Sequence, residues 1–217
     1  RRPSRVRGGG WRVPVSGYPV LLEGRAITAL VVGGGTVASR KVRALLATGA
    51  RVRVVAPAIT DELSALSEQD ANLTIERRRF RGEDVRDAML VFAATDDRAT
   101  NSRIARIARA QHRAVSVADL PAEGSFTGMA THRSGDVIIA VSAGGVPRAA
   151  ARIRDAIAER FDERYAAAIA ALRTVRRRLL DTGSEGGWEQ ATRRLLDERF
   201  CARVESGALT AEADAWR

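Results

Sequence analysis

The sequence predicts an α/β protein: a doubly wound parallel sheet, then a strand pair with a helix, then a helical C-terminal tail. Three observations lead there. An apolar, β-branched run at Ile27–Val32 ends in a glycine cluster and gives way to a helical pattern. Further buried runs then alternate with helical stretches at βαβ intervals as far as Ala118. After Pro121 the helix between strands disappears, so the last two runs are left to pair antiparallel.

In chain order, Tyr18-Pro19-Val20-Leu21-Leu22 leads into the first strand at about residue 27. Val37, Ala38, Val42, Leu45 and Leu46 carry one apolar helix face, and Gly49-Ala50 precede a second strand at 51–55. Pro57 stops that strand, and Thr60 with Glu62 and Glu68 predicts a short capped helix over 60–68. A third strand is expected at 73–77. The basic run Arg77-Arg78-Arg79 with Arg81 reads as a solvated edge, or alternatively as a contact for a carboxylate-rich ligand. Met89–Thr95 predicts a buried strand, and Ile104, Ile107 and Ala108 predict one face of the helix after it. Ala114–Ala118 is a fifth strand ending at Asp119. Beyond it, strands at 125–131 and 137–141 are joined by a turn at 132–136, and Pro147 opens a helix over about 148–161. The rest, to about 205, reads as helical with breaks near Thr182-Gly183-Ser184 and Gly186-Gly187. The expected divisions are a basic flexible tail at 1–17, a dinucleotide domain at 18–120, a dimerisation region at 121–162 and a helical domain at 163–217.

The glycine cluster carries the chemistry. Gly33-x-Gly35-x-x-Ala38 has the spacing of a dinucleotide-binding turn. Gly33 permits the tight turn, Gly35 lets a pyrophosphate approach the backbone, and Ala38 lets helix pack close on strand. A merely structural βα turn is the alternative. The acid that would hold a ribose hydroxyl after the second strand is replaced by Val55-Ala56-Pro57, and Arg53 sits mid-strand, so the residues leave NAD and NADP open.

Composition narrows the classes. Hydrophobic residues make up 45% and charged residues 29%, enough for a proper core in a water-soluble chain. No run approaches a membrane span and no secretory leader pattern appears, so a cytoplasmic protein is expected. Cys201 is the only cysteine, which excludes an internal disulfide, and with two histidines a metal cage is not expected. The net charge of +10 includes +5 from the arginines of residues 1–12. Lys41 is the only lysine, so arginine bias explains the charge better than selection for nucleic acid. The charge suits a small polyanionic substrate instead.

Strand ends on the carboxyl edge are where such sheets bind ligands. Asp119 at one such end is the candidate general base, against the reading of a simple turn residue. Asp96, Asp97, Thr100 and Asn101 read as helix caps. His112 and His132 read as exposed and inert, and Ser125 lacks the His and acid partners of a nucleophile. Met89, Phe92 and Phe126 read as core, and Trp188 and Trp216 as packing for the helical tail.

Taken together, these segments resemble precorrin-2 dehydrogenase, which is also the N-terminal module of siroheme synthase. The resemblance runs over about 18–162, with the helical tail comparable in kind. It rests on Tyr18-Pro19-Val20-Leu21-Leu22, on Val31–Lys41 (V-V-G-G-G-T-V-A-S-R-K) and on Val54-Val55-Ala56-Pro57. It continues through Ala93-Ala94-Thr95-Asp96-Asp97 with Asn101, Val115–Asp119, Ser125-Phe126 and Ala140–Gly145. The resemblance implies a Rossmann-type fold, NAD as cofactor, oxidation of precorrin-2 to sirohydrochlorin and, in some members, ferrous iron insertion. It implies an intertwined homodimer and a polycarboxylate tetrapyrrole substrate; the absence of an apolar span and of nucleic-acid motifs argues against a membrane or nucleic-acid partner. The family's catalytic aspartate falls on Asp119, and its cofactor contacts on Gly33, Gly35, Thr36, Val37, Pro57, Ala58 and Thr95. Ser125, Gly144 and Gly145 are the expected substrate contacts. The sequence departs from the family at Ser116, where Asn is common, at Leu120, and at Val146-Pro147-Arg148, where a serine is lost and the proline comes early. A non-enzymatic NAD(H)-sensing module is the alternative function.

Overall fold

A computed structural model describes residues 17–183 and 186–216. The basic tail expected at 1–17 lies outside the described residues except for Gly17. The described chain forms two compact units, residues 18–128 and 129–216.

In the first unit the central strand β1 (Thr28–Val32) is flanked by β2 (Arg51–Val55) and β4 (Leu90–Ala93). Outside these lie β3 (Leu73–Glu76) and β5 (Ala114–Val117), giving the order β3-β2-β1-β4-β5 with every pairing parallel. Strand residues alternate between two cores. Ala29, Val31, Val52, Val54 and Phe92 face α1 (Thr36–Leu46) and α2 (Asp61–Gln69) through Ala38, Val42 and Leu63. Leu30, Val32, Val91, Val115 and Val117 face α3 (Arg98–Ala110) through Ile104, Ala105 and Ala108. Burial on both faces explains why these strands read as continuous apolar runs. The fold is the doubly wound sheet expected, with its elements within a few residues of the predicted ends.

The register aligns Val32 with Val55 and Ala93, Ala93 with Val117, and Val55 with Glu76. Gly33, Ala56, Ala94 and Ala118 therefore leave the sheet along one edge. The chain winds from β1 out to β3 and then crosses back to β4, so the topological switch falls between β1 and β4.

The second unit joins the antiparallel pair β6 (Ala130–Ser134) and β7 (Val137–Val141) to α4 (Pro147–Ala158) and α5 (Glu163–Asp181). α6 (Gly187–Leu195), α7 (Phe200–Glu205) and α8 (Ala208–Asp214) complete it. Val137 packs with Tyr165, Leu172, Val175, Leu195, Val204 and Leu209 in one core, with Trp188 and Trp216 against it. The hairpin and the tail helices thus lie in one compact unit, which begins after Gly128.

Three further expectations change. The strand predicted at 125–131 lies at 130–134, because Gly135, at φ 56°, and Asp136 form the turn. His132 consequently stands in β6, half-buried, with Nε2 donating to the Phe161 carbonyl at 2.6 Å, and is not an exposed turn residue. Met89 is exposed rather than core, whereas Phe92 is buried and meets Phe126 edge-on at 5.3 Å.

Candidate functional site at the carboxyl edge of the sheet

The three glycines after β1 have three different environments. Gly33 has φ 124°, and a Cβ there would collide with the Ala94 carbonyl at the end of β4. A Cβ on Gly34 would collide with the Ala58 carbonyl. Gly35, the N-cap of α1, has φ −87° and ψ −173°, and a Cβ there would meet nothing within 4 Å. The turn is closed by backbone on two sides and open at Gly35. No side chain caps α1, and the first helical bond of its backbone runs from Ser39 N to Gly35 O at 3.0 Å. The N–H groups of Thr36, Val37 and Ala38 are therefore left without helical acceptors and cluster beside the open position, as an anion cradle requires.

The segment after β2 closes over this turn. Thr60 N donates to Gly34 O at 2.9 Å, and its hydroxyl meets Ser39 Oγ at 3.0 Å while capping α2 through Leu63 N at 3.3 Å. Pro57 and Ala58 stand on this segment, beside the glycines. Buried Ser39 also reaches Gly35 O at 3.2 Å, so one small hydroxyl ties two loops to one helix.

On the other side of the switch, Asp97 caps α3 by accepting from Ala99 N and Thr100 N, each at 3.1 Å. The Thr100 hydroxyl and these two N–H groups hold its carboxyl below the usual carboxylate range. Asn101 does not cap. It is fully buried, and its Oδ1 accepts from Thr95 N at 3.1 Å and Thr95 Oγ1 at 2.7 Å. Its Nδ2 donates to Thr95 O and to Asp119 Oδ1, each at 3.0 Å. Arg98 lies 3.6 Å from the other Asp119 oxygen and donates to Glu123 at 2.5 Å. Asp119 is thus tied at one oxygen to the end of β4, while its side chain keeps 37% of its exposure.

The remaining expected residues are Ser125 in the first unit and Gly144 and Gly145 in the second. Ser125 Oγ accepts from Val115 N at 2.8 Å, and Ser125 N donates to Val115 O at 2.7 Å, which lays this residue along β5. Gly144 and Gly145, with φ 55° and 84°, belong to the turn before α4 in the second unit. The arginines at 53 and 78 are not a free edge. They converge on Asp84, which is 3% exposed, through bonds of 2.6 and 2.9 Å from Arg78 and an ion pair of 3.4 Å from Arg53. Glu76 joins at 3.0 Å from Arg53. Lys41 places its amine 5.8 Å from the Phe92 ring centroid, where burial and then Arg40 push it below the usual lysine range. Among the described residues, no three His, Cys, Asp or Glu side chains gather as metal ligands, and no helix is long and apolar enough to cross a membrane.

Residues 20–130 match the model of a protein family described as "Putative NAD(P)-binding". The chain belongs to that family. The match covers the sheet, the glycine turn and Asp119. The siroheme synthase of Mannheimia succiniciproducens is 39% identical over 136 residues, 63% of this chain and 28% of that protein. The siroheme synthase of Ectopseudomonas mendocina is 44% identical over 132 residues, 61% of this chain and 28% of that protein. The matching part thus spans under a third of these curated relatives. The solved structure of SirC, a precorrin-2 dehydrogenase, superposes with a TM-score of 0.75 at 25% identity, over 92% of this chain and all of that one. These matches bear out the resemblance to the precorrin-2 dehydrogenase family.

Proposed function

We propose that this chain oxidises precorrin-2 to sirohydrochlorin with NAD, and that Asp119 is the general base. The observation that carries the reading is the link through Asn101, which sets the Asp119 carboxylate beside Thr95 at the end of β4, next to the glycine turn. The names of the siroheme synthase relatives and of SirC supply the substrate class.

In this reading Gly35 and the N–H groups of Thr36 and Val37 hold the pyrophosphate, Gly33 shapes the turn, and Pro57, Ala58 and Thr95 border the nucleosides. NAD, when bound, supplies the hydride acceptor. Asp119 takes a proton from a carbon or nitrogen of the substrate as the hydride leaves with two electrons, so that a double bond forms. Arg98 and Asn101 each engage one carboxylate oxygen and leave further lone pairs for that proton. Ser125, Gly144 and Gly145 remain the proposed substrate contacts. A homodimer in the cytoplasm is proposed as the working form, and the positive charge suits a polycarboxylate substrate.

The test is anaerobic incubation of purified protein with NAD and precorrin-2. Equal amounts of NADH and sirohydrochlorin are expected. NAD binding without either product contradicts the proposal and leaves the alternative of an NAD(H)-sensing module.

A further inference from the structure

Asn101 is expected from sequence to be a helix cap, yet it lies one turn inside α3 and is completely buried. A carboxamide has two donor hydrogens and two acceptor lone pairs, and here all four are used: three on Thr95 and one on Asp119. The Thr95 backbone fixes which end is which. Its N–H needs the amide oxygen and its carbonyl needs the amide nitrogen, so the remaining N–H is directed at Asp119 and the amide has no equivalent flipped state. The shorter of the two Thr95 hydroxyl contacts, 2.7 Å against 3.0 Å to Asp97 O, is also to Asn101.

We infer that Asn101 is a positioning residue for Asp119: it transfers the backbone geometry of Thr95 to one carboxylate oxygen of the base. The inference rests on the dehydrogenase reading above. It assigns Asn101 no contact with substrate or cofactor. β4 and β5 are joined backbone to backbone only as far as the Ala93–Ala118 bond of 3.0 Å, and Asp119 lies past it. Beyond that bond, Asn101 holds Asp119 from the side of β4 and Arg98 approaches its other oxygen.

The test uses the full chain and two variants. Asn101→Asp keeps the size and the acceptor toward Thr95 N–H but turns an oxygen toward Asp119. Asn101→Ala removes the whole bridge. Each is expected to lower kcat by about a hundredfold, the scale of a misplaced reacting group, with the Kd for NAD changed no more than about threefold. Residues that act as one unit lose activity together only once, so adding Asn101→Ala to Asp119→Ala should change single-turnover NADH formation by less than about twofold. The same fractional loss in the Asp119→Ala background overturns the inference, as does loss of NAD binding in step with turnover in both variants. So does kcat retained within about twofold in either single variant. Absence of NADH from the unaltered protein overturns the dehydrogenase reading itself, and the inference with it.

Discussion

The backbone N–H of Thr60 donates to the carbonyl of Gly34 at 2.9 Å, stitching the segment after β2 to the glycine turn after β1. The missing ribose acid at Val55-Ala56-Pro57 takes on a structural sense from this bond. The segment packs so close that a Cβ at Gly34 has no room against Ala58. The first and second glycines are required by packing, and Gly35 alone faces free space.

That contrast separates binding from folding. Gly35→Ala adopts an ordinary backbone conformation without collision, so it should fold with an unchanged melting temperature. Its methyl group occupies the phosphate approach, and calorimetric titration should show NAD affinity down by at least about tenfold, or about 1.4 kcal/mol. Gly33→Ala should instead lose about 1–3 kcal/mol of stability in urea melts, because its φ of 124° is strained for any other residue and its Cβ meets Ala94.

Asp84 holds the β2–β3 end together. It accepts from Arg81 N at 2.7 Å as well as from Arg78, and Arg53 Nη2 donates to its carbonyl at 2.5 Å. Asp84→Ala removes the buried carboxylate and the acceptor for Arg81 N, while Arg53 and Arg78 stay partly exposed and keep Glu76, so it should cost about 1–3 kcal/mol in urea unfolding. A loss below about 1 kcal/mol, the range of exposed pairs, contradicts the structural role.

Acid should loosen the same cluster. Burial pushes the Asp84 carboxyl up, but the bonds from Arg78 and Arg81 N outweigh it and hold it below the usual range. The bond from Arg53 is the largest influence on Glu76, and with Arg78 it lowers that carboxyl too. A carboxyl depressed in the folded state contributes its full stability above the ordinary carboxylate pKa of about 4 and loses it as pH falls through the folded value. Thermal melts should therefore be flat in this contribution down to about pH 5 and fall below about pH 4, with a shallower fall in Asp84→Asn.

Much of this was legible in the sequence, for local reasons. The glycine turn, the five parallel strands and the Thr60 cap depend on residues a few positions apart, and all appear within a few residues of where they are expected. The Arg53–Asp84 and Arg53–Glu76 contacts span 31 and 23 residues, and no local pattern separates them from solvated charge. Asn101 misled for another reason: its place near a helix start suits a cap, and only the fold shows that Asp97 already does that work. The hairpin slipped because Ser125 and Phe126 do bond along β5 at Val115, which gives them a strand-like pattern outside the β6–β7 pair.

The most direct measurement is NADH formation from NAD and precorrin-2 by the Asp119→Ala variant beside the unaltered protein, with NAD affinity determined for both. Equal NAD affinity is expected, with turnover reduced by about 10²–10⁴-fold, the range of a general base. Undiminished turnover in Asp119→Ala would contradict that role.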